Sequence, residues 1–228
     1  MRLAVIPARG GSKRIPRKNL KPFHGRPIVA YSIDAARASG LFDHVVVSTD
    51  DAEIAKLART LGAETPFVRP AELADDHTGT NAVVRHAAQW FAAAGEPAAE
   101  VCCVYATAPF VTADDLKAAH TLLAEGIDFV FAATRFTFPV QRALRRTDHG
   151  AMVAMFPQWI GMRSQDLPEA LHDAGQFYWG RPAAFERHDV VFLATAAAYE
   201  LPSWRVQDID TPDDWVRAEM LMRMQDER

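Results

Sequence analysis

A mainly parallel β-sheet with helices on its faces is the fold class that the amino-acid sequence predicts, on three observations. Short apolar runs rich in β-branched residues alternate with segments of helical periodicity along most of the chain. The helical segments carry start and stop signals, among them Thr112 and Thr211-Pro212 at beginnings and Gly40 and Gly62 at ends. Finally, 228 residues are enough to bury one large core, which predicts a single unit spanning 1–228. With 49% hydrophobic and 24% charged residues, the chain falls in the globular class rather than the disordered or membrane classes.

The elements follow in order. Leu3 to Ile6 is the first strand, and a loop punctuated by glycine and proline comes after it. "PIVAYSIDAARASG" (Pro27 to Gly40) has proline near its start, helical spacing and a terminal glycine, so it predicts a helix. "HVVVSTDD" is a strand of β-branched residues reaching Ser48, and Asp50 and Asp51 are placed to cap the next helix, which Gly62 ends. A helix over Asn81 to Ala94 leads through an exposed connection at "AAAGEPAAE" to a strand over Val101 to Tyr105. Thr112 to Glu125 reads as a helix and Phe129 to Ala133 as a strand. The alternation then breaks. "RALRRTDHGAMVAMF" (Arg142 to Phe156) predicts two strands about an Asp-His-Gly turn, inside an inserted element at about 136–172. The apolar "MVAMF" has no obvious partner in the βα layers, which predicts a dimer contact. "GQFYWG", "VVFLAT" and "WRVQDID" complete the strands, and a helix opens at Thr211-Pro212.

Charge is distributed unevenly. The formal net charge is −4, which argues against nucleic acid as the main partner, because phosphate-backbone binders are basic over a whole face. Yet Arg9, Lys13, Arg14, Arg17 and Lys18 crowd "VIPARGGSKRIPRKN" (Val5 to Asn19) with no acidic residue among them. Alone, this segment reads either as a focused site for a small polyanion or as a solvated basic turn. Ligands of open α/β sheets bind beyond the carboxyl ends of strands, where this loop lies. Gly10 and Gly11 allow positive φ and a nest of backbone N–H groups, and Arg9, Lys13 and Lys18 add cations suited to a triphosphate. Neither G-x-x-x-x-G-K-[ST] nor G-x-G-x-x-G is present.

"QDIDTPDDW" supplies the complementary charge. Asp208 and Asp210 stand two apart on an apparent strand, which turns both carboxylates to one face as hard oxygen ligands for Mg²⁺. Asp213 and Asp214 belong instead to the start of the last helix. An anion loop and metal carboxylates together point to nucleotidyl transfer. The apolar run before Pro7, Leu3 to Ile6, is too short for a signal-peptide core or a membrane span, so a cytoplasmic location and no membrane partner are expected. Cys102 and Cys103 are adjacent in an apolar run and read as buried strand thiols.

"IPARGGSKRIPRKN", "VVVSTDD", "RPAELADD" and "DIDTPDDW" resemble the CMP-sialic acid synthetase family of cytidylyltransferases over essentially the whole chain. The resemblance implies a Rossmann-like fold, CTP and Mg²⁺ as reagents, an acidic nine-carbon sugar as acceptor, and a homodimer whose inserted region reaches toward the partner's active site. By matched motif it implies that Arg9, Lys13 and Lys18 contact the CTP phosphates, and that Ala8, Gly10, Gly11, Ser12, Asn19 and Thr107 surround the nucleotide. Arg69 of "RPAEL" would stand near the base, Lys13 and Lys18 would act in catalysis, and Asp208 and Asp210 would hold the metal and act with them. "YATAPF" (Tyr105 to Phe110) stands where synthetases for N-acetylneuraminic acid carry a glutamine-containing segment. With "FPVQRA" and "HDAGQFYWG", it is similar to the branch of the family that uses pseudaminic acid. Neuraminate and legionaminate remain alternative acceptors, and a non-catalytic nucleotide-binding protein is the alternative of another class.

For the sugar, Gln141 and Arg142 of "FPVQRAL" read either as hairpin packing or as contacts to the acid, since arginine pairs well with a carboxylate. Gln176 and Tyr178 of "GQFYWG" are placed on one side of a strand, where they could line a sugar pocket. The eight histidines make no metal-binding pattern; only His172-Asp173, just ahead of "AGQFYWG", stands out.

Overall fold

A computed structural model describes residues 1–75 and 78–227. Asp76, at the end of "RPAELADD", and His77 lie outside the described residues. In chain order the elements are β1 (Arg2–Pro7), β2 (Pro22–Phe23), β3 (Arg26–Pro27), α1 (Val29–Ser39), β4 (His44–Ser48), α2 (Ala52–Thr60) and α3 (Thr80–Ala93). Then come β5 (Glu100–Val104), α4 (Ala113–His120), β6 (Phe129–Arg135), β7 (Leu144–Arg146), β8 (Met152–Ala154), β9 (Leu171–Gly180), α5 (Pro182–Arg187), β10 (Ala196–Glu200) and α6 (Pro212–Asp226).

The main sheet has the order β10-β6-β9-β5-β1-β4. β1 pairs in parallel with β4 and β5, and β6 with β10, whereas β9 enters antiparallel between β5 and β6. The sheet is thus mainly parallel, with one reversed strand in its middle. Period-two alternation in the strands divides the core in two. From β1, Ala4 and Ile6 face α1, α2 and α4, while Leu3 and Val5 face α3 and α5. Cys102 and Cys103 split in the same way, and both are fully buried free thiols.

Helix ends obey local chemistry. Asp51 caps α2 by accepting the Glu53 and Ile54 N–H groups, and Thr112 and Thr211 each close a capping box, with Asp115 and Asp214. Four expectations are corrected. α4 stops at His120 rather than reaching Glu125, and the chain turns through Gly126 at φ 80°. "VVFLAT" is no strand: Val191 is buried against the α3/α5 side and Phe192 packs edge-on to Phe131, so the edge strand begins only at Ala196. "WRVQDID" is no strand either. Its Ser203–Arg205 turn is 3-10, and the Arg205 side chain bonds Asp115 and the Phe110 carbonyl, tying the segment to α4 and the loop before it instead of to the sheet. Lastly, neither Gly10 nor Gly11 has positive φ; in the basic loop it is Arg17 that does, at 54°.

A third, smaller core joins the two ends of the chain. Ile15 of the basic loop, Phe23, Ile28, Phe110, Ile209, Trp215 and Ala218 pack together, with Phe23 edge-on to both Phe110 and Trp215. Burying one such large apolar side chain contributes about 1.5–3 kcal/mol. Ile15 and Ile209 therefore clamp the basic loop against the Asp208–Asp210 segment.

Candidate active site

A cavity of about 460 Å³ opens where the loops after β1 and β5 meet the first turn of α3. Its lining includes Arg9, Ser12, Lys13, Arg14, Lys18 and Asn19 from the basic loop, with Thr80, Tyr105, Thr107 and Asp210. Ligands are expected at this end of an open α/β sheet. Four cations against one carboxylate make the cavity a positive focus inside an acidic protein.

The loop is held from several sides. Asn19 Nδ2 donates to the Arg9 carbonyl at 2.9 Å, and Arg9 Nη1 donates to the Asp75 carbonyl at 2.6 Å. Lys18 Nζ donates to the Ile209 carbonyl at 2.7 Å and lies 3.5 Å from Asp210 Oδ1, while Arg14 Nη2 stands 2.9 Å from Asp210 Oδ2. Arg17 leaves the cluster: its positive φ turns it to Asp51 at 2.5 Å and to Glu53. Gly10 gives its N–H to Asp50 Oδ1 at 2.9 Å, and a Cβ there would come within 2.8 Å of Asp51 Oδ2. Close approach to the carboxylate that caps α2 requires glycine at this position. Ala8 is buried, with its N–H on the Ser48 carbonyl at 2.9 Å.

Arg69 is only 4% exposed. Its guanidinium bonds the Ser48 hydroxyl at 3.1 Å and the Ser48 carbonyl at the end of β4. Burial lowers its pKa to about 10, with Asp50 opposing the shift. With Arg9, Thr78 and Thr80 it borders a recess of about 180 Å³ next to the main cavity.

Asp208 and Asp210 flank the fully buried Ile209. Asp208 keeps contact with solvent, but the surrounding protein raises its carboxyl above the usual range, and the Asp210, Asp173 and Asp214 charges add to this against Lys18. A pair of oxygen donors carrying mutual repulsion is the chemistry of a hard-cation site, and in that respect the two residues fit Mg²⁺. Among the described residues no cluster of three or more potential protein ligands occurs, so an ion here would take its other ligands from phosphate or water.

The four candidate sugar residues do not line the cavity. Gln141, nearly buried, donates to the Pro168 carbonyl at 2.7 Å beside a second recess of about 380 Å³, and Arg142 donates to the Met162 carbonyl at 3.2 Å. Gln176 Nε2 donates to the Arg205 carbonyl at 2.6 Å. Tyr178 lies directly behind Tyr105, with its hydroxyl on Asp173. Sequence reasoning did not name Arg14 or Thr80 as site residues, and it marked Asp173 only as half of the His172-Asp173 pair, without a role. Arg14 carried the basic-loop signal, but Thr80 and Asp173 join the site only through tertiary contacts.

The family described as cytidylyltransferase matches residues 3–151. The pseudaminic acid cytidylyltransferase of Campylobacter jejuni is 42% identical over 99% of this chain and 97% of its own length. The CMP-N,N'-diacetyllegionaminic acid synthase of Legionella pneumophila is 28% identical, again over 99% and 97%. Among solved structures, a CMP:2-keto-3-deoxy-manno-octonic acid synthetase complexed with CTP superposes with a TM-score of 0.71, at 16% identity, over 98% of this chain and 99% of that one. At that identity the likeness concerns the fold.

Proposed function

The chain belongs to the cytidylyltransferase family, and from that premise we propose that it transfers CMP from CTP to the anomeric hydroxyl of a nonulosonic acid, pseudaminic acid, releasing pyrophosphate. The observation that carries this reading is the cavity itself, where Arg9, Lys13, Arg14 and Lys18 meet Asp210 at the end of β1. A triphosphate fits that cationic lining, and a purely binding protein has no need of paired carboxylates beside it.

In the reaction the sugar's anomeric oxygen forms a bond to the α-phosphorus, the bond from that phosphorus to the pyrophosphate oxygen breaks, and the hydroxyl proton passes to solvent water. Lys13 and Lys18 stand on the loop that would hold the triphosphate, where fixed cations stabilise the charge growing on the leaving group. Arg9 and Arg14 extend that field. The Arg14–Asp210 contact is a solvent-exposed pair of the kind worth about 0–1 kcal/mol, so exchanging Asp210 for a phosphate costs little. Asp208 and Asp210 would hold Mg²⁺, which when bound neutralises phosphate charge and helps orient the triphosphate. Ser12, Asn19 and Thr107 provide polar contacts around the nucleotide, with Arg69 at the adjoining recess.

A homodimer is part of this reading. Phe138 (81% exposed), Leu144, Met152, Met155 and Ile160 leave an apolar surface on the inserted element, and pairing it with a second copy would bring Gln141 and Arg142 toward the partner's cavity. No helix among the described residues is long and apolar enough to cross a membrane. Two buried free thiols and the use of CTP suit the cytoplasm.

The test is a coupled pyrophosphate-release assay in which one component is left out at a time. Release is expected only with CTP, divalent metal and an acidic nonulosonic sugar together. Release with a neutral sugar phosphate in place of the acid would move the chain to a different nucleotidyl acceptor.

A further inference from the structure

Behind the Tyr105 wall of the cavity runs a file of hydroxyl groups that ends on a carboxylate. Thr80 Oγ1 lies 3.3 Å from Tyr105 Oη, which lies 3.1 Å from Tyr178 Oη, which donates to Asp173 Oδ2 at 2.6 Å. The other carboxylate oxygen, Oδ1, accepts the Gly175 backbone N–H at 3.1 Å. The two tyrosine rings meet edge to face at 5.4 Å. Gly175, at φ +60°, sits in the interrupted register of β9 that brings Asp173 back onto Tyr178.

Counting protons fixes the direction of this file. A carboxylate only accepts, and each hydroxyl has one proton to give. Tyr178 gives its proton to Asp173, so Tyr105 must give its own to Tyr178, and Thr80 must give its own to Tyr105. Thr80 and Tyr105 both border the cavity. With every proton drawn inward, both hydroxyls turn only lone pairs outward. We infer that Thr80 and Tyr105 form a proton-accepting wall that reads a hydrogen-bond donor on a substrate, a hydroxyl or an amide N–H, and disfavours phosphate and carboxylate oxygens. Asp173 is the positioning residue that sets the polarity.

The cationic part of the lining belongs to the β1 loop, so one cavity carries two readers: cations for the anionic groups and acceptors for the neutral donors. The inference rests on the cytidylyl-transfer reading, in which the donor comes from the acid sugar or from the nucleoside of CTP.

Asp173→Asn provides a test that barely changes shape. The Gly175 N–H keeps the amide oxygen on its side, which turns Nδ2 toward Tyr178. Nδ2 then donates to Tyr178, Tyr178 to Tyr105, and Tyr105 into the cavity, so the wall becomes a donor. Facing a donor with a donor removes one hydrogen bond and leaves a buried polar group unpaired, an effect of about tenfold or more in affinity. The expected result is a rise of about that size in KM for one of the two substrates, with the KM of the other and the melting temperature unchanged. Whichever KM moves identifies the source of the donor. Tyr178→Phe cuts the file without reversing it and should raise the same KM by a smaller factor.

Titrations of CTP and of pseudaminic acid against wild type and both variants give dissociation constants that do not depend on turnover. No turnover by the wild type, with binding that still responds to the variants, would remove the transfer reading and leave the wall standing. Binding and KM within twofold of wild type in both variants would overturn the wall. So would a parallel loss of both affinities together with thermal stability, which is the signature of a merely structural role.

Discussion

Arg205 ties the carboxylate segment to the rest of the fold, and its removal has a cost set by its partners. Its Nη1 donates to Asp115 Oδ1 at 3.2 Å, and its Nη2 to Asp115 Oδ2 and to the Phe110 carbonyl at 2.9 Å. The two side chains are 17% and 5% exposed, so Arg205→Ala strands a nearly buried carboxylate. Breaking such a pair costs about 3–5 kcal/mol. Asp115 would still accept from the Thr112 N–H and hydroxyl and from the Tyr199 hydroxyl, which places the loss at the lower end, about 3 kcal/mol. For a chain of this size, each kcal/mol lowers the melting temperature by about 2–4 °C, so a drop of roughly 6–12 °C is expected. Thermal unfolding followed by circular dichroism measures it. Arg205→Lys, with its single ammonium, should fall between the two. An alanine variant that melts within about 2 °C of wild type would refute the anchoring role and the energy assigned to it.

The same geometry carries other expectations. Lys13→Ala and Lys18→Ala should each lower kcat/KM for CTP by about 100-fold, read as initial pyrophosphate release, because each removes a cation from the triphosphate lining; wild-type rates in both would dissociate the loop from phosphate binding. Asp208→Asn should abolish turnover yet raise the melting temperature at neutral pH. The fold raises the Asp208 carboxyl, so ionisation costs stability above that raised value, and the gain from asparagine should shrink as the pH falls into the carboxylate range; a variant less stable at pH 7 than at pH 4, relative to wild type, would reverse that sign. Sedimentation should show a dimer for wild type and a monomer for a Phe138→Asp, Met155→Asp double variant, and a monomeric wild type would leave the inserted element as a local structure.

The features visible in the sequence were those set by local chemistry. The unbroken apolar run Leu3, Ala4, Val5 and Ile6 specifies a strand buried on both faces, and Asp51, Thr112 and Thr211 announce their helices because a capping side chain acts within three residues. What failed depends on contacts made across the chain. Asp208 and Asp210 look like alternating strand residues, but they are held beside the loop because Ile209 between them enters the small core with Ile15. Arg205 satisfies its bonds on Asp115 and Phe110, so no strand forms where the apolar pattern suggested one. Gly10 is glycine because Asp51 approaches it, a fact of tertiary packing rather than of a turn. The basic loop itself was legible from composition, since so many cations in a row with no acidic residue among them have few structural uses. That Arg17 turns out of the cluster to Asp51 and Glu53 was not, because its partners come from another element.

The central claim is that this cavity joins CMP to an acidic nine-carbon sugar, and competition between acceptors tests it most directly. CTP, Mg²⁺ and equimolar pseudaminic and N-acetylneuraminic acids are incubated with the enzyme, and the phosphodiester products are resolved by phosphorus NMR and mass. CMP-pseudaminate should accumulate first and account for nearly all of the early product, with pyrophosphate released in equal amount. Preferential formation of CMP-neuraminate would contradict the acceptor assignment, and CTP consumed with no sugar-linked phosphodiester would contradict cytidylyl transfer itself.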